Sequence, residues 1–260
     1  MNQPETASLK GIEGDLNAES DVGLILPTYC EVSNIEKLIS EIEKLNLDVR
    51  VLVIDDSSPD GTADAVRRLQ KKYKNILLFV RPKKTGLGTA ITDGFKILSS
   101  LKNSPSYVVT MDADYSHNPR DVPRAISAAK EGKGLAIGSR YCRGGGVVEW
   151  SMFRRLTSRV ANILASLLVR ARIHDYTSGL RCYSTRLVKE MVPELHSQTY
   201  EIQIETIRQA CKRGFDVREF PMTFVNRKNG KSKLSANEIK EFTSYIFKIK
   251  KLKASVQGES

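Results

Sequence analysis

Several things are missing from this 260-residue chain, and each absence narrows what it does. No apolar run approaches the ~20 residues that a membrane-spanning helix needs; the longest, such as Ile163–Val169, are short. The N-terminus shows no basic-then-apolar secretory pattern. The four cysteines, Cys30, Cys142, Cys182 and Cys211, are scattered without a C-x-x-C pair. That points to a reducing compartment and away from a zinc site. Gly86-x-Gly88 has no third glycine and no acidic residue after a following strand at the required distance, so it is not a dinucleotide fingerprint. It reads instead as a place where a helix approaches the sheet closely. Residues 1–20 are polar with little to bury and are expected to form a disordered leader.

Charge is abundant and unevenly spread. Residues 1–139 carry 18 Lys/Arg against 19 Asp/Glu, whereas residues 140–260 carry 23 against 11. A basic second half suggests an anionic partner: nucleic acid, an anionic membrane face or a phosphorylated substrate. The basic half lacks interleaved stacking aromatics, which disfavours a nucleic-acid platform.

Up to about residue 138 the chain alternates short apolar runs with helical periodicity. Strands are expected at Val22–Leu26 (stopped by Pro27), Val49–Ile54, Ile76–Val80, Tyr107–Met111 and Leu135–Gly138, with helices between them. This pattern implies an α/β fold with a mostly parallel, doubly wound central sheet and helices on both faces. In such sheets ligands bind beyond the carboxyl ends of the strands. Three polar clusters fall there: Pro27–Glu31, Asp55-Asp56 and Asp112–Asp114. In the last, an apolar run closes on Asp112-Ala113-Asp114, so two carboxylates, or one carboxylate and its loop, can converge on a hard cation such as Mg²⁺ or Mn²⁺. Tyr29 can pack on a nucleobase, Glu31 can accept from ribose hydroxyls, and Asp56 can accept from a base edge. His117 is a metal ligand, a base or an ordinary loop histidine.

Beyond residue 140, Gly144–Gly146 is a hinge candidate. A helix over 153–170 has apolar residues at helical spacing and Arg154, Arg155, Ser158, Arg159 and Asn162 on its other side. Arg154 and Ser158, one turn apart, can grip one anion. The helix either lies in a membrane interface or packs on the core. His174–Arg181 reads as a polar loop, Glu190–Leu195 and Tyr200–Arg213 as helices, and Val217–Phe224 as a strand region broken by Pro221. Arg227–Lys233 is a basic, glycine-containing loop suited to phosphates. A second amphipathic helix is expected over 237–251, so that residues 236–260 form a terminal helix and tail.

Taken together, Pro27–Glu31, Ile54–Thr62, Gly86–Ala90, Asp112–His117 and Gly138–Tyr141 resemble the inverting family 2 glycosyltransferases, and more narrowly the dolichol-phosphate (polyprenyl-phosphate) mannose synthases. Thr177–Tyr183 and Arg227–Leu234 extend the likeness, which covers about residues 22–240. The resemblance implies a GT-A fold over residues 21–235, GDP-mannose as donor and a dolichyl or polyprenyl phosphate as acceptor. It implies that Pro27, Tyr29, Glu31 and Asp56 hold the guanosine, and that Asp112, Ala113 and Asp114 line the diphosphate, with the two acids on Mg²⁺ or Mn²⁺. Arg140, Arg154 and Ser158 would bind the acceptor phosphate, Ser178 would sit in a mobile acceptor loop, and Arg227 and Lys233 would lie near the donor phosphates. The two amphipathic helices would be interface helices. The protein would be peripheral on the cytoplasmic side of a membrane, without nucleic acid, docking on the lipid surface or a small membrane-anchored subunit. Cys30 and Ser116 depart from residues common in the family, asparagine and glutamine.

The implied chemistry is direct displacement at the anomeric carbon by an already anionic phosphate oxygen, with Asp114, Arg140, Arg154 and Ser158 closest to it and no general base. A sugar-hydroxyl acceptor would need one, with Glu205 or His117 as candidates. A related transferase moving glucose or N-acetylglucosamine from a UDP donor to a polyprenyl phosphate is the alternative.

Overall fold

The computed structural model describes residues 9–169 and 171–226. Arg227, Lys233 and the helix expected over 237–251 lie outside the described residues, as do residues 1–8 of the leader.

The first strands and helices follow from their burial patterns. Strands β1 (Ile12–Glu13), β2 (Val22–Thr28), β3 (Val49–Asp55) and β4 (Ile76–Val80) alternate with helices α1 (Val32–Glu43) and α2 (Thr62–Lys72). Every residue of β3 is buried, as an apolar run covered on both faces must be. Helix α1 buries Ile35, Leu38, Ile39 and Ile42, the one stripe that a 3.6-residue period allows. Then follow α3 (Leu87–Ser100), β5 (Tyr107–Thr110), α4 (Val122–Gly132), β6 (Leu135–Ser139), β7 (Gly146–Val148), α5 (Met152–Val169), β8 (Arg181–Ser184), α6 (Thr185–Met191), α7 (Ile202–Lys212), β9 (Val217–Pro221) and β10 (Thr223–Val225).

Among the described residues, eight strands form one sheet in the order β1-β4-β3-β2-β5-β8-β6-β9, and β10 pairs with β7 in a small second sheet. The pairs β4/β3, β3/β2, β2/β5 and β6/β9 are parallel. Only β1 and β8 run against their neighbours. The carboxyl ends of β2, β3, β5 and β6 therefore open on the same edge, carrying Thr28, Asp55, Asp112 and Arg140.

Several expectations are corrected. Residues 9–20 do not continue a disordered leader: β1 pairs with β4, matching Ile12 to Phe79. Pro27 does not stop its strand. The β2/β5 ladder ends at Ile25 while β2/β3 continues to Thr28. The missing N–H of Pro27 faces the side where the ladder has already ended, so nothing is lost. The region read as a polar loop ends in strand β8, inserted antiparallel between β5 and β6, and the helix expected at 190–195 begins earlier, at Thr185. Gly86 and Gly88 do not bring α3 to the sheet. A Cβ on either would lie 2.4–2.5 Å from a carbonyl oxygen of Gln198 or Ser197. It is Gly94 that lets α3 approach, since a Cβ there would meet Ile25 at 2.8 Å. The Gly144–Gly146 run is tied down rather than loose: Gly145 N–H donates to Cys142 and Gly146 N–H to Met222.

Helix α5 is inside out. Its inward residues are Asn162 and Ala165, the only ones buried. Met152, Phe153, Leu156, Ile163 and Leu167 are 60–79% exposed. Packing of its apolar stripe on the core is thereby excluded. Among the described residues no helix is long and apolar enough to cross a membrane.

Candidate active site

An open cleft of about 690 Å³ lies at the carboxyl edge of the sheet. Its walls come from four stretches distant in sequence: Pro27, Thr28, Tyr29 and Glu31; Asp56; Lys84, Gly86, Leu87 and Ala90; and Asp112, Ala113 and Asp114. Thr199 and Tyr200 close it from the far side. The three polar clusters expected at the strand ends thus meet in one place.

Each wall is held by its own hydrogen bonds. Buried Asp55 accepts from Thr28 Oγ1 at 2.8 Å and from the Ser58 N–H at 2.9 Å, locking the ends of β2 and β3 together. Asp60 accepts from the Val32 N–H and the Thr62 hydroxyl, and Glu31 receives Asn34 Nδ2 at 2.9 Å. Asp56 is buried against Arg81, whose Nε donates to it at 2.5 Å. Arg81 also reaches Thr89 Oγ1 and the Gly86 carbonyl. Part of the Asp56 carboxylate is therefore committed within the protein, which sequence alone did not reveal. Lys84 Nζ stands 4.0 Å from the Tyr29 ring centroid, a cation over the aromatic face.

The two acids differ in setting. Asp114 is 5% exposed and caps the tight turn after it, accepting the Ser116 N–H at 3.0 Å. The Asp112 side chain is 29% exposed. Its backbone N–H donates to His117 Nδ1 at 3.3 Å, so the other ring nitrogen carries the proton. Both acids line the cleft, and among the described residues no group of three or more His, Cys, Asp or Glu side chains could hold a metal. Two carboxylates fit a hard cation that takes its remaining oxygens from a diphosphate and water. Ser116 and His117 are fully buried and off the cleft wall.

Next to the cleft lies a basic cluster. Arg140 is buried and gripped by Asp175, which accepts from Nε at 2.7 Å, from Nη2 at 2.6 Å and from the backbone N–H at 3.0 Å. Burial alone would push the Asp175 carboxyl up, but Arg140 and neighbouring N–H groups hold it below the usual range. Arg154 Nη1 donates to Asn226 at 2.7 Å, and Tyr141 donates to Ser158 Oγ at 2.7 Å. The loop from Asp175 to Gly179 touches both sites. One end holds Arg140, and at the other a Cβ on Gly179 would sit 3.2 Å from both carboxylate oxygens of Asp112. Ser178 is buried in this loop, which is pinned by the N–H groups of Thr177 and Ser178 on Asp175 and of Tyr176 on Asn162.

The chain matches the glycosyl transferase family 2 profile over residues 24–192. It belongs to that family. It is 36% identical over 220 residues to the polyprenol monophosphomannose synthase of Mycolicibacterium smegmatis, covering 84% of this chain and 82% of that protein. It is 34% identical over 239 residues to the dolichol-phosphate mannosyltransferase of Pyrococcus furiosus, covering 90% of this chain and 65% of the archaeal protein's length. Among solved structures, the fold resembles the glucosyl-3-phosphoglycerate synthase of Mycobacterium tuberculosis, crystallised with Mn²⁺, UDP-glucose and phosphoglyceric acid (TM-score 0.63, 17% identity, 90% of this chain and 79% of that one). It also resembles the Pyrobaculum calidifontis mannosyltransferase in complex with GDP-Man and Mn²⁺ (TM-score 0.55, 19% identity, 85% and 60%). The sheet and its flanking helices are thus those of a GT-A glycosyltransferase.

Within this family 2 enzyme, the sequence-expected residues divide cleanly. Pro27, Tyr29, Glu31, Asp56, Asp112, Ala113 and Asp114 line the cleft. Arg140, Arg154 and Ser158 cluster beside it, and Ser178 lies buried between the two groups. The two base candidates are not presented for catalysis. Glu205 is 4% exposed and accepts the N–H groups of His196 and Ser197, clamping the loop before Thr199. Lys84, Thr199 and Tyr200 were missed, because their only signal is spatial. Asp175 was missed because a carboxylate in a polar loop looks like any other.

Proposed function

We propose that this glycosyltransferase moves mannose from GDP-mannose to the phosphate of a dolichyl or other polyprenyl lipid, with inversion at the anomeric carbon. The observation that carries the reading is the loop Asp175–Gly179, which joins a carboxylate-lined nucleotide cleft to a paired-arginine anion site. The names and shared identity of the two relatives support mannose as the sugar and a polyprenyl phosphate as the acceptor.

The nucleoside occupies the Tyr29, Glu31 and Asp56 end of the cleft, and the diphosphate lies toward Asp112 and Asp114. A divalent cation, Mg²⁺ or Mn²⁺, held by Asp112 and Asp114 would supply positive charge to the departing diphosphate. Arg140 and Arg154 orient the acceptor phosphate. Its oxygen forms the new bond to C1 as the C1–O bond to the diphosphate breaks, and the electron pair leaves on GDP. A phosphomonoester is already an anion near neutral pH, with a second pKa of about 6, so no side chain need remove a proton. That agrees with the burial of Glu205 and His117. Fixed geometry at Arg140 serves the same end, since aligned reactants avoid much of the entropy barrier.

The exposed face of α5, from Met152 to Leu167, lies against the cytoplasmic leaflet of a membrane, with Arg155 and Arg159 at the headgroups. The enzyme is peripheral there, and a small membrane-anchored subunit is a compatible second anchor. Lipid phosphate then reaches Arg154 and Ser158 on the inward side of the same helix. Donor competition tests the nucleotide: GDP should displace labelled GDP-mannose in the presence of Mn²⁺ at least tenfold better than UDP. Equal displacement by UDP, or transfer from UDP-glucose or UDP-N-acetylglucosamine at the same rate, would favour the other donor class.

A further inference from the structure

Two arginines placed for one anion ought to repel each other, yet here they share an aromatic floor. Arg154 Cζ lies 4.3 Å from the Trp150 ring centroid and 5.7 Å from that of Phe224. Arg140 Cζ lies 5.4 Å from Trp150 and 5.7 Å from Phe224. The two rings meet edge to face with centroids 5.3 Å apart. Ring faces attract cations, so this pair helps to hold both guanidinium groups close to the same two rings.

Trp150 has a second, unexplained property. It is 7% exposed, and its buried Nε1–H has no acceptor among the described residues. An indole nitrogen can only donate, and a buried donor left unpaired is costly. The nearby acceptors are in use: Asp175 serves Arg140, and Asn226 Oδ1 serves Arg154. Two guanidinium groups and the orphaned N–H thus belong to one cluster around the Trp150 ring. We propose that Trp150 is a binding residue for the acceptor: its Nε1–H is the third donor, beside Arg140 and Arg154, to an oxygen of a phosphomonoester. This deepens the phosphate-acceptor reading above and rests on it. It also explains why a rigid ring sits where α5 begins, with one side chain supplying both the floor and a hydrogen bond.

The test uses the full chain and farnesyl phosphate as probe, with farnesol and inorganic phosphate as separate arms, by calorimetry without donor. Trp150→Phe keeps a ring and removes only the N–H, while Trp150→Leu removes both. Trp150→Phe should weaken farnesyl phosphate binding about 5- to 20-fold, the loss of one charge-assisted hydrogen bond. The KM for the lipid phosphate should rise by the same factor, with kcat and GDP affinity unchanged within about twofold. Trp150→Leu should bind more weakly still. Farnesol binding should be the same in all three proteins, and inorganic phosphate should follow the farnesyl phosphate order. If wild type binds farnesyl phosphate and Trp150→Phe binds it equally well, the proposal is wrong and the acceptor reading stands. If wild type binds no farnesyl phosphate, both fall. A fall in GDP affinity parallel to that for the lipid would mark Trp150 as merely structural and overturn the assignment.

Discussion

Asp175→Asn is the most demanding perturbation of the acceptor side. The carboxylate is fully buried and accepts six hydrogen bonds: three from Arg140, two from the N–H and hydroxyl of Thr177 and one from the Ser178 N–H. Asparagine keeps the shape, but it loses the charge and turns an amide donor toward groups that are themselves donors. Arg140, 6% exposed, is left as an uncompensated buried cation. Removing one partner of a buried ion pair costs about 3–5 kcal/mol, a large share of the ~5–15 kcal/mol that holds a domain together. The melting temperature should fall by about 6–20 °C for a chain of this size. Circular dichroism during urea and thermal unfolding measures both quantities.

The pH dependence has a definite sign. The folded Asp175 carboxyl lies below its usual range, so its stabilisation is complete above the unfolded carboxylate pKa of about 3.9 and is lost as pH falls from there through the folded value. The gap between wild type and Asp175→Asn should be constant from about pH 5 to 8 and narrow below about pH 4. The double change Arg140→Met with Asp175→Leu should regain only part of the stability, since it removes the unpaired charge but leaves the N–H groups of Arg140, Thr177 and Ser178 without their acceptor, and it should abolish transfer. A single variant within about 1 kcal/mol of wild type, or a gap unchanged in strong acid, would refute this account of the Arg140 pair.

Other changes probe other parts of the molecule. Glu205→Gln should cost about 1–3 kcal/mol through the N–H groups of His196 and Ser197 yet keep transferase turnover at saturating substrate; loss as complete as in Asp114→Ala would mean that a base is needed. Gly88→Ala places a methyl 2.5 Å from the Ser197 carbonyl oxygen, so the loop bearing Thr199 and Tyr200 must shift. Stability should drop by about 1–3 kcal/mol and GDP affinity should fall with it, as equilibrium dialysis would read. Leu156→Glu with Ile163→Glu changes two exposed side chains of α5. It should leave unfolding nearly unchanged but release the protein from anionic vesicles in a flotation assay, and retained flotation would remove α5 from the membrane.

Much of this was legible because apolar periodicity reports burial directly. The strands Val49–Asp55 and Ile76–Val80 and the stripe of α1 follow from it, and the strand-end acids then had to share an edge. Strand β8 was illegible because Arg181-Cys182-Tyr183-Ser184 does not alternate like a strand: Arg181 is buried by the carbonyls of Tyr176 and Ser178 in the loop before it and of Gln203, 22 residues on. Helix α5 showed its period but not its direction, since a spectrum of apolar spacing is the same whether the stripe faces core or lipid. The motif acids and arginines of the site were readable, but not their partners. Arg81 for Asp56 and Asp175 for Arg140 are pairings made by the fold, 25 and 35 residues apart. Trp150, the only tryptophan in the chain, was the one signal that composition offered and motif reading passed over.

The measurement that bears most directly on the central claim is one time course of label from GDP-[¹⁴C]mannose into the organic phase. It is run with dolichyl phosphate or dolichol, each with Mn²⁺ or with excess chelator. Label should enter the lipid only with dolichyl phosphate and the divalent ion, and Asp114→Asn should bring it to background. Label on dolichol, undiminished transfer under chelation, or no transfer to dolichyl phosphate would each contradict the account.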